Sequence, residues 1–299
     1  VRRALSATPR VLTPLALLAA ALALIVPSST VAARSDVLLA LLVLATALGI
    51  SFADLRRLRD HAAAVAVLSI IPLVVLGAVA WVLGRPFAPP IRDGLLAVGL
   101  ASSEVASVGL VALARADATI ALGAVSGSLV ASALIGPVAI GALAGSSAHA
   151  NPLPLLGRFA LVVIVPLIVG VAARSRWPRM AVADPEREGL AALVVAVLVY
   201  AALSGTHGAH HLGAALLASV AFLAVSAAAA ELWRRRTAPG AIAVPGALAI
   251  AMRDFAVAAA LATQAFGTQA GAVPGVYGVV MLVAGTVAAG RLARSVTRP

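Results

Sequence analysis

Two stretches carry groups whose chemistry is at odds with their surroundings. Ile250 to Phe266, IAMRDFAVAAALATQAF, sets Arg253 and Asp254 side by side inside an apolar run. Gly94 to Ala114, GLLAVGLASSEVASVGLVALA, carries Glu104 at its midpoint with Ser102, Ser103 and Ser107 around it. An ionisable side chain at the centre of a bilayer costs roughly 2.5–3.5 kcal/mol on insertion scales, so such residues face a protein interior or a wet cavity and mark a site or a path. The chemistry within reach is the binding of an ion, a proton or a charged solute. Arg253 has three readings: an anchor for an anion through its planar fork, a tethered counter-ion, or a partner for Glu104. Glu104 either binds a proton or cation, or is a structural partner bridged to Arg253. Asp254 either joins the site or caps the helix that begins at Phe255, as aspartate does well. The three serines line a pocket or cap helix ends. Fully ionised, Glu104, Asp254 and Arg253 sum to minus one, which one proton neutralises. The carboxylate farther from Arg253 is the better carrier of that proton, and Glu104 is favoured. Side-chain reach between Glu104 and Arg253 is expected.

Weaker candidates are Ser126, Thr263, Gln264 and Tyr277, because single polar residues in membrane helices often bond their own backbone or a neighbour. His207, His210 and His211 have spacings that bring them together on a helix as a metal face, but no carboxylate accompanies them and no metal site is assigned. There is no HExxH, GxSxG, P-loop or dinucleotide fingerprint, so the chain does not read as an enzyme, and no cofactor is expected.

The elements that must hold these groups follow from composition. With 299 residues, 62% of them hydrophobic and 11% charged, and a mean hydropathy of +1.08, the chain departs from soluble domains, which are about 45–50% apolar and 25% charged. It reads as an all-α polytopic membrane protein whose first partner is the lipid bilayer. A net charge of +11 would suit nucleic acid, but the arginines sit in short clusters between apolar runs, which is how topology is written. Nucleic acid is therefore excluded as a partner. Cysteine is absent, which removes disulfides and thiolate chemistry.

Because about 20 apolar residues cross a hydrocarbon core of roughly 30 Å, ten spans are predicted, at 11–27, 37–53, 62–83, 94–114, 118–144, 159–173, 189–204, 212–230, 241–266 and 270–290. Arg2, Arg3 and Arg10 ahead of the run 11–27, with SSTVAARS behind it, suit either a cleaved signal or a first span. A retained span is preferred because the remaining pattern needs it. Outside the spans, Arg34, Arg85, Arg92 and Arg158 fall in one set of alternating loops and the other arginines in the opposite set. The positive-inside rule then puts both termini in the cytoplasm of a multi-pass cell-membrane protein. Ten spans split into two sets of five with opposite orientation, the arithmetic of an inverted repeat: about 11–144 and about 159–290, within one transmembrane domain over 1–299. GLLAVGL from Gly94 echoes GALAIAM from Gly246, and GAVSG at 123–127 echoes GAVPG at 271–275. Those glycines are read as close helix packing. The polar stretch from Arg174 to Glu188 is read as the loop joining the repeats, and Arg115 with Asp117 as a cytoplasmic turn.

GLASSEVASVGLVALARADATIALGAVSGSLVASALIGP at 99–137 resembles the fourth and fifth helices of the bile acid:sodium symporter family. MRDFAVAAALATQAFGTQAGAVPGVYGVVMLVAG at 252–285 is similar to its ninth and tenth helices, and GISFADL at 49–55 to the end of its second. The resemblance implies a ten-helix inverted-repeat carrier in which helices four and nine unwind midway and cross where sodium and substrate bind. The departures are specific. Where the family has a Ser-Asn pair in helix four, this chain has Ser107 and Val108. Two hydroxyl ligands of helix five align with Ala121 and Val125. A glutamate of helix nine aligns with Ala249, and a Gln-Asn pair with Arg253 and Asp254. Sodium takes oxygen ligands, as hard cations do, and most of them are missing. The expected function is secondary transport of a small-molecule substrate, an organic anion, coupled to a proton or to nothing rather than to sodium. The alternatives are an arsenite-type permease, disfavoured because no cysteine supplies a soft ligand, and a membrane sensor that kept the fold.

Overall fold

The computed structural model describes residues 2–114, 116–144, 151–177, 184–204, 212–237 and 242–296. Among them every regular element is helical: α1 (Arg2–Ile25), α2 (Ser29–Ala32), α3 (Ser35–Ala47), α4 (Phe52–Arg57), α5 (Ala62–Gly84), α6 (Pro89–Leu100), α7 (Ala106–Leu113), α8 (Ala118–Leu143), α9 (Pro152–Phe159), α10 (Val165–Arg176), α11 (Asp184–Ser204), α12 (Leu212–Arg236), α13 (Ala243–Ala251), α14 (Phe255–Phe266) and α15 (Ala272–Val296). In lipid this is what backbone chemistry demands, since each N–H and C=O must be satisfied within the segment.

Among the described residues, five segments are long and apolar enough to cross a membrane: Phe52–Gly84, Ala118–Leu143, Pro152–Arg176, Leu212–Arg236 and Thr268–Gly285. Thr13–Ile25, Ser35–Ala47, Gly189–Ser204 and Phe255–Phe266 are shorter apolar helices. A π-helical turn at Ala160–Ile164 joins α9 to α10. It lies just before Pro166, whose missing N–H and ring crowd an ordinary helical register.

The fourth and ninth segments are interrupted, as the family resemblance implies. The fourth breaks after Leu100 and resumes at Ala106, and the ninth breaks after Ala251 and resumes at Phe255. The second ends at Ala47 rather than at 53, and a separate short helix follows. The reason is local: Ser51 accepts from the Asp54 N–H while the Asp54 carboxylate accepts from the Ser51 N–H, a capping box that starts α4 afresh. The stretch Arg174 to Glu188 is not all loop, because α10 runs to Arg176 and α11 starts at Asp184. Asp117 caps α8 by accepting from the Thr119 N–H at 2.8 Å, while Arg115 lies outside the described residues, as do His207, His210 and His211.

The helices pack in two groups. One gathers α1, α3, α10 and α11; the other holds α5 to α8 and α12 to α15. Small residues set the closest approaches within the second group. A Cβ on Gly99 would lie 2.6 Å from the Leu76 carbonyl oxygen, and one on Gly127 2.3 Å from Ser69 Oγ. Gly275 packs less tightly, against Leu203 of α11, where a Cβ would lie 3.0 Å from the side chain. The glycines of the two echoing motifs therefore serve packing.

Candidate functional site

The two interruptions meet. Beyond Leu100 the backbone turns extended at Ala101 (φ −72°, ψ 162°), and beyond Ala251 it does so at Met252 and Asp254. Ser103 and Arg253 face each other as an isolated antiparallel bridge. Its two hydrogen bonds run from the Glu104 N–H to the Met252 carbonyl at 3.0 Å and from the Asp254 N–H to the Ser102 carbonyl at 2.8 Å. Each broken helix thereby satisfies backbone groups that lipid could not.

Hydroxyls on neighbouring helices satisfy the remainder. Ser128 Oγ on α8 accepts the Ser103 N–H at 2.9 Å, and Tyr277 Oη on α15 accepts the Arg253 N–H at 3.1 Å. Ser132 Oγ donates to the Leu100 carbonyl at 2.7 Å, and Ser226 Oγ donates to the Ala251 carbonyl at 3.3 Å. Of these four, sequence reasoning had singled out only Tyr277. The available signal was the i, i+4 spacing of Ser128 and Ser132, which puts both on one face of α8.

The six sequence-predicted residues come together here and are withdrawn from solvent: Arg253 is 0% exposed, Asp254 2% and Glu104 4%, with Ser102, Ser103 and Ser107 buried beside them. Asp254 caps α14, its Oδ1 accepting from the Ala256 and Val257 N–H groups at 2.9 and 3.0 Å. Glu104 takes the matching place before α7, its Oε1 accepting from the Ala106 N–H at a longer 3.4 Å. Ser103 Oγ donates to the Ala249 carbonyl at 2.9 Å.

The expected bridge between Glu104 and Arg253 is not formed. Arg253 Nη2 donates instead to the Ala101 carbonyl at the end of α6. Glu104 faces Asp254, like charge to like, and Tyr277 lies within the field of both Glu104 and Arg253. The physical reason is that the C-terminal end of a half-helix carries partial negative charge and free carbonyls, so it competes with a carboxylate for the guanidinium. Several buried polar atoms here have no protein partner: Ser102 Oγ, Ser107 Oγ, Glu104 Oε2 and Arg253 Nε and Nη1. Together they offer donors and acceptors to a small polar ligand.

Three of the weaker candidates lie elsewhere. Ser126 and Thr263 donate to carbonyls of their own helices. Gln264 donates to Asp36 at 2.6 Å. Val108, Ala121, Val125 and Ala249 supply no side-chain oxygen near the crossing.

An all-helical membrane protein with charge buried where two interrupted helices meet belongs with the membrane transporters. The Sodium Bile acid symporter family matches residues 36–211, more than half of the sequence, and the chain belongs to that family. No curated protein gives a match. Membership implies a small-molecule substrate of the bile acid or organic anion type.

Proposed function

We propose that the protein is a secondary carrier for a small organic anion, working by alternating access between two inverted repeats, about 11–144 and about 159–290, with both termini cytoplasmic. The observation that carries this reading is the bridge at Ser103 and Arg253. It pairs the two helix breaks antiparallel, with Glu104 bonded to Met252 and Asp254 to Ser102, as two broken helices that cross in opposite directions would pair. The packing agrees: α5 lies on α6 and α8, and α12 lies on α13 and α15.

In this reading Arg253 is a tethered cation. Its Nη2 occupies the carbonyl end of α6, where a mobile cation would otherwise be drawn, and its free Nε and Nη1, which point to different sides of the guanidinium, each remain to donate a hydrogen bond to an anionic substrate group. Ser102, Ser107 and Asp254 complete the site. Glu104, whose Oε2 is unpartnered, is the group proposed to take a coupling proton; the ionisable neighbours facing it are Asp254 and Tyr277. Sodium is not expected to drive flux, because side-chain oxygens are missing at Val108, Ala121, Val125 and Ala249.

The test is reconstitution into liposomes with a pool of organic anions, uptake being driven separately by pH and by sodium gradients. Uptake should follow the pH gradient or neither gradient, and Arg253→Gln should abolish it. Uptake that follows sodium and ignores pH would refute the coupling. Retention of full flux by Arg253→Gln would refute the anion site.

A further inference from the structure

We propose that Asp36 is the pivot of a latch that ties the far end of α14 to α3 and α9, and that access to the crossing from that end requires its release. The proposal rests on the carrier reading above. Asp36 stands in the first turn of α3 and divides its two oxygens between two other elements. Oδ1 accepts from Gln264 Nε2 at 2.6 Å, and Oδ2 accepts from Arg158 Nε at 2.7 Å. Arg158 closes α9, and Gln264 lies in the last turn of α14. One carboxylate therefore joins three segments, and it does so across the seam between the two packing groups, since α3 belongs to one and α14 to the other.

The place of α14 gives the tie its leverage. Asp254 caps its first turn at the crossing, and Gln264 lies ten residues on, about 15 Å along the axis at 1.5 Å per residue. One rod thus connects the buried charges at one end with the latch at the other. The seam beside it is built to part. A small cavity there is lined by Ala32, Ser35, Leu198, Ala201, Ala259 and Thr263, between α3, α11 and α14. Small side chains interlock little, which suits sliding of packed helices. The chain leaves α14 through Gly267, whose φ of 90° only glycine adopts freely, so the exit from the rod is a turn rather than a continuation of the helix. The arginine-poor rim also lets water in: Arg158 is 59% exposed and Asp36 18% at the side chain, so water can replace the broken bonds. Gln264 Oε1, by contrast, is buried and unpartnered, so the glutamine is held by its amide nitrogen alone.

The natural chain has no cysteine, so Thr263→Cys provides a lone thiol facing the seam. Thr263 Oγ1 bonds only carbonyls of its own helix, and its loss severs no tie between elements. The readout is the alkylation rate by a charged, membrane-impermeant maleimide, in vesicles of each orientation. Gln264→Ala should raise the rate from the arginine-poor face by about tenfold, the weight of one charge-assisted hydrogen bond, and Asp36→Ala, which also frees Arg158, by at least as much. Asp36→Asn still accepts from Gln264 and should raise it less. Unchanged rates in both alanine variants would overturn the proposal, as would a rise from the arginine-rich face or an equal rise from both, which is what general unfolding would give. Labelling needs no substrate, so the two readings fail separately. Gated labelling in vesicles without flux would sink the carrier and leave the latch; flux with ungated labelling would sink the latch alone.

Discussion

Asp254 has two separable properties, its shape and its charge, and substitution can tell them apart. Its Oδ1 accepts from the Ala256 and Val257 N–H groups, both at the buried start of α14. Removing a side-chain cap costs about 0.5–2 kcal/mol, and here the upper end applies. Ala256 and Val257 are 0% and 1% exposed, so water cannot stand in, and an orphaned buried donor costs about 1–3 kcal/mol. Asp254→Ala should therefore lower the unfolding free energy in micelles by about 2 kcal/mol. Asparagine caps as well as aspartate, so Asp254→Asn should stay within about 0.5 kcal/mol of the parent while removing the charge that faces Glu104. The assay is denaturant unfolding followed by the tryptophan signal, paired with liposome uptake of the same preparations. Asp254→Asn should keep whatever dependence on the pH gradient the parent shows, because the coupling proton is proposed to sit on Glu104. If asparagine destabilises as much as alanine, the carboxylate is held for its charge and the capping argument is wrong.

Glu104→Gln should remove any dependence of uptake on the pH gradient and leave the response to sodium unchanged, measured in the same liposomes; a persisting pH response would move the coupling to another group. Ser128→Ala and Tyr277→Phe each strip the acceptor from a buried N–H at corresponding places in the two breaks, so each should cost about 1–3 kcal/mol, and a cost at one alone would argue against their equivalence. Gly127→Val should destabilise by about 1–3 kcal/mol through overpacking on Ser69, with thermal unfolding in detergent as the check.

Hydropathy made most of the scaffold legible because lipid leaves few choices of length or polarity. The expected 62–83 and 118–144 are α5 and α8 almost to the residue. The breaks were harder to see. Neither Ala101 to Val105 nor Met252 to Asp254 contains glycine or proline, and the signal was a run of Ser, Glu and Asp, residues that favour caps over helix interiors. Only the resemblance to a family located them. The three buried charges announced themselves by type, but the partner of Arg253 did not. A sequence displays carboxylates and hides carbonyls, so the reading matched Arg253 to Glu104 when the end of α6 was the stronger claimant. The hydroxyls that stitch the crossing were hidden for a related reason: Ser128, Ser132 and Ser226 look like many small residues in tightly packed membrane helices, and only the placed backbone shows which unpaired group each one meets.

The crossing is also satisfied by its own chain in a way that bears on what can bind there. Two helices broken at mid-depth expose four ends, two with partial positive charge and two with partial negative charge. Here the positive ends of α7 and α14 are met by Glu104 and Asp254, and the negative ends of α6 and α13 by donors from Arg253 and Ser103. Ions from solution that would otherwise be drawn to such ends must compete with groups already in place. An arriving cation finds the carbonyl end of α6 taken by a guanidinium that cannot lose its charge in practice, and an arriving anion finds two carboxylates at the amide ends. What stays uncommitted is Nε and Nη1 of Arg253, the hydroxyls of Ser102 and Ser107 and Oε2 of Glu104, and the donors among them would suit an anionic head with hydrogen-bonding oxygens. A site of this kind would suit a solute that brings its charge to Arg253 and leaves the helix ends undisturbed, which is the physical ground for the proposal that substrate binds here without sodium.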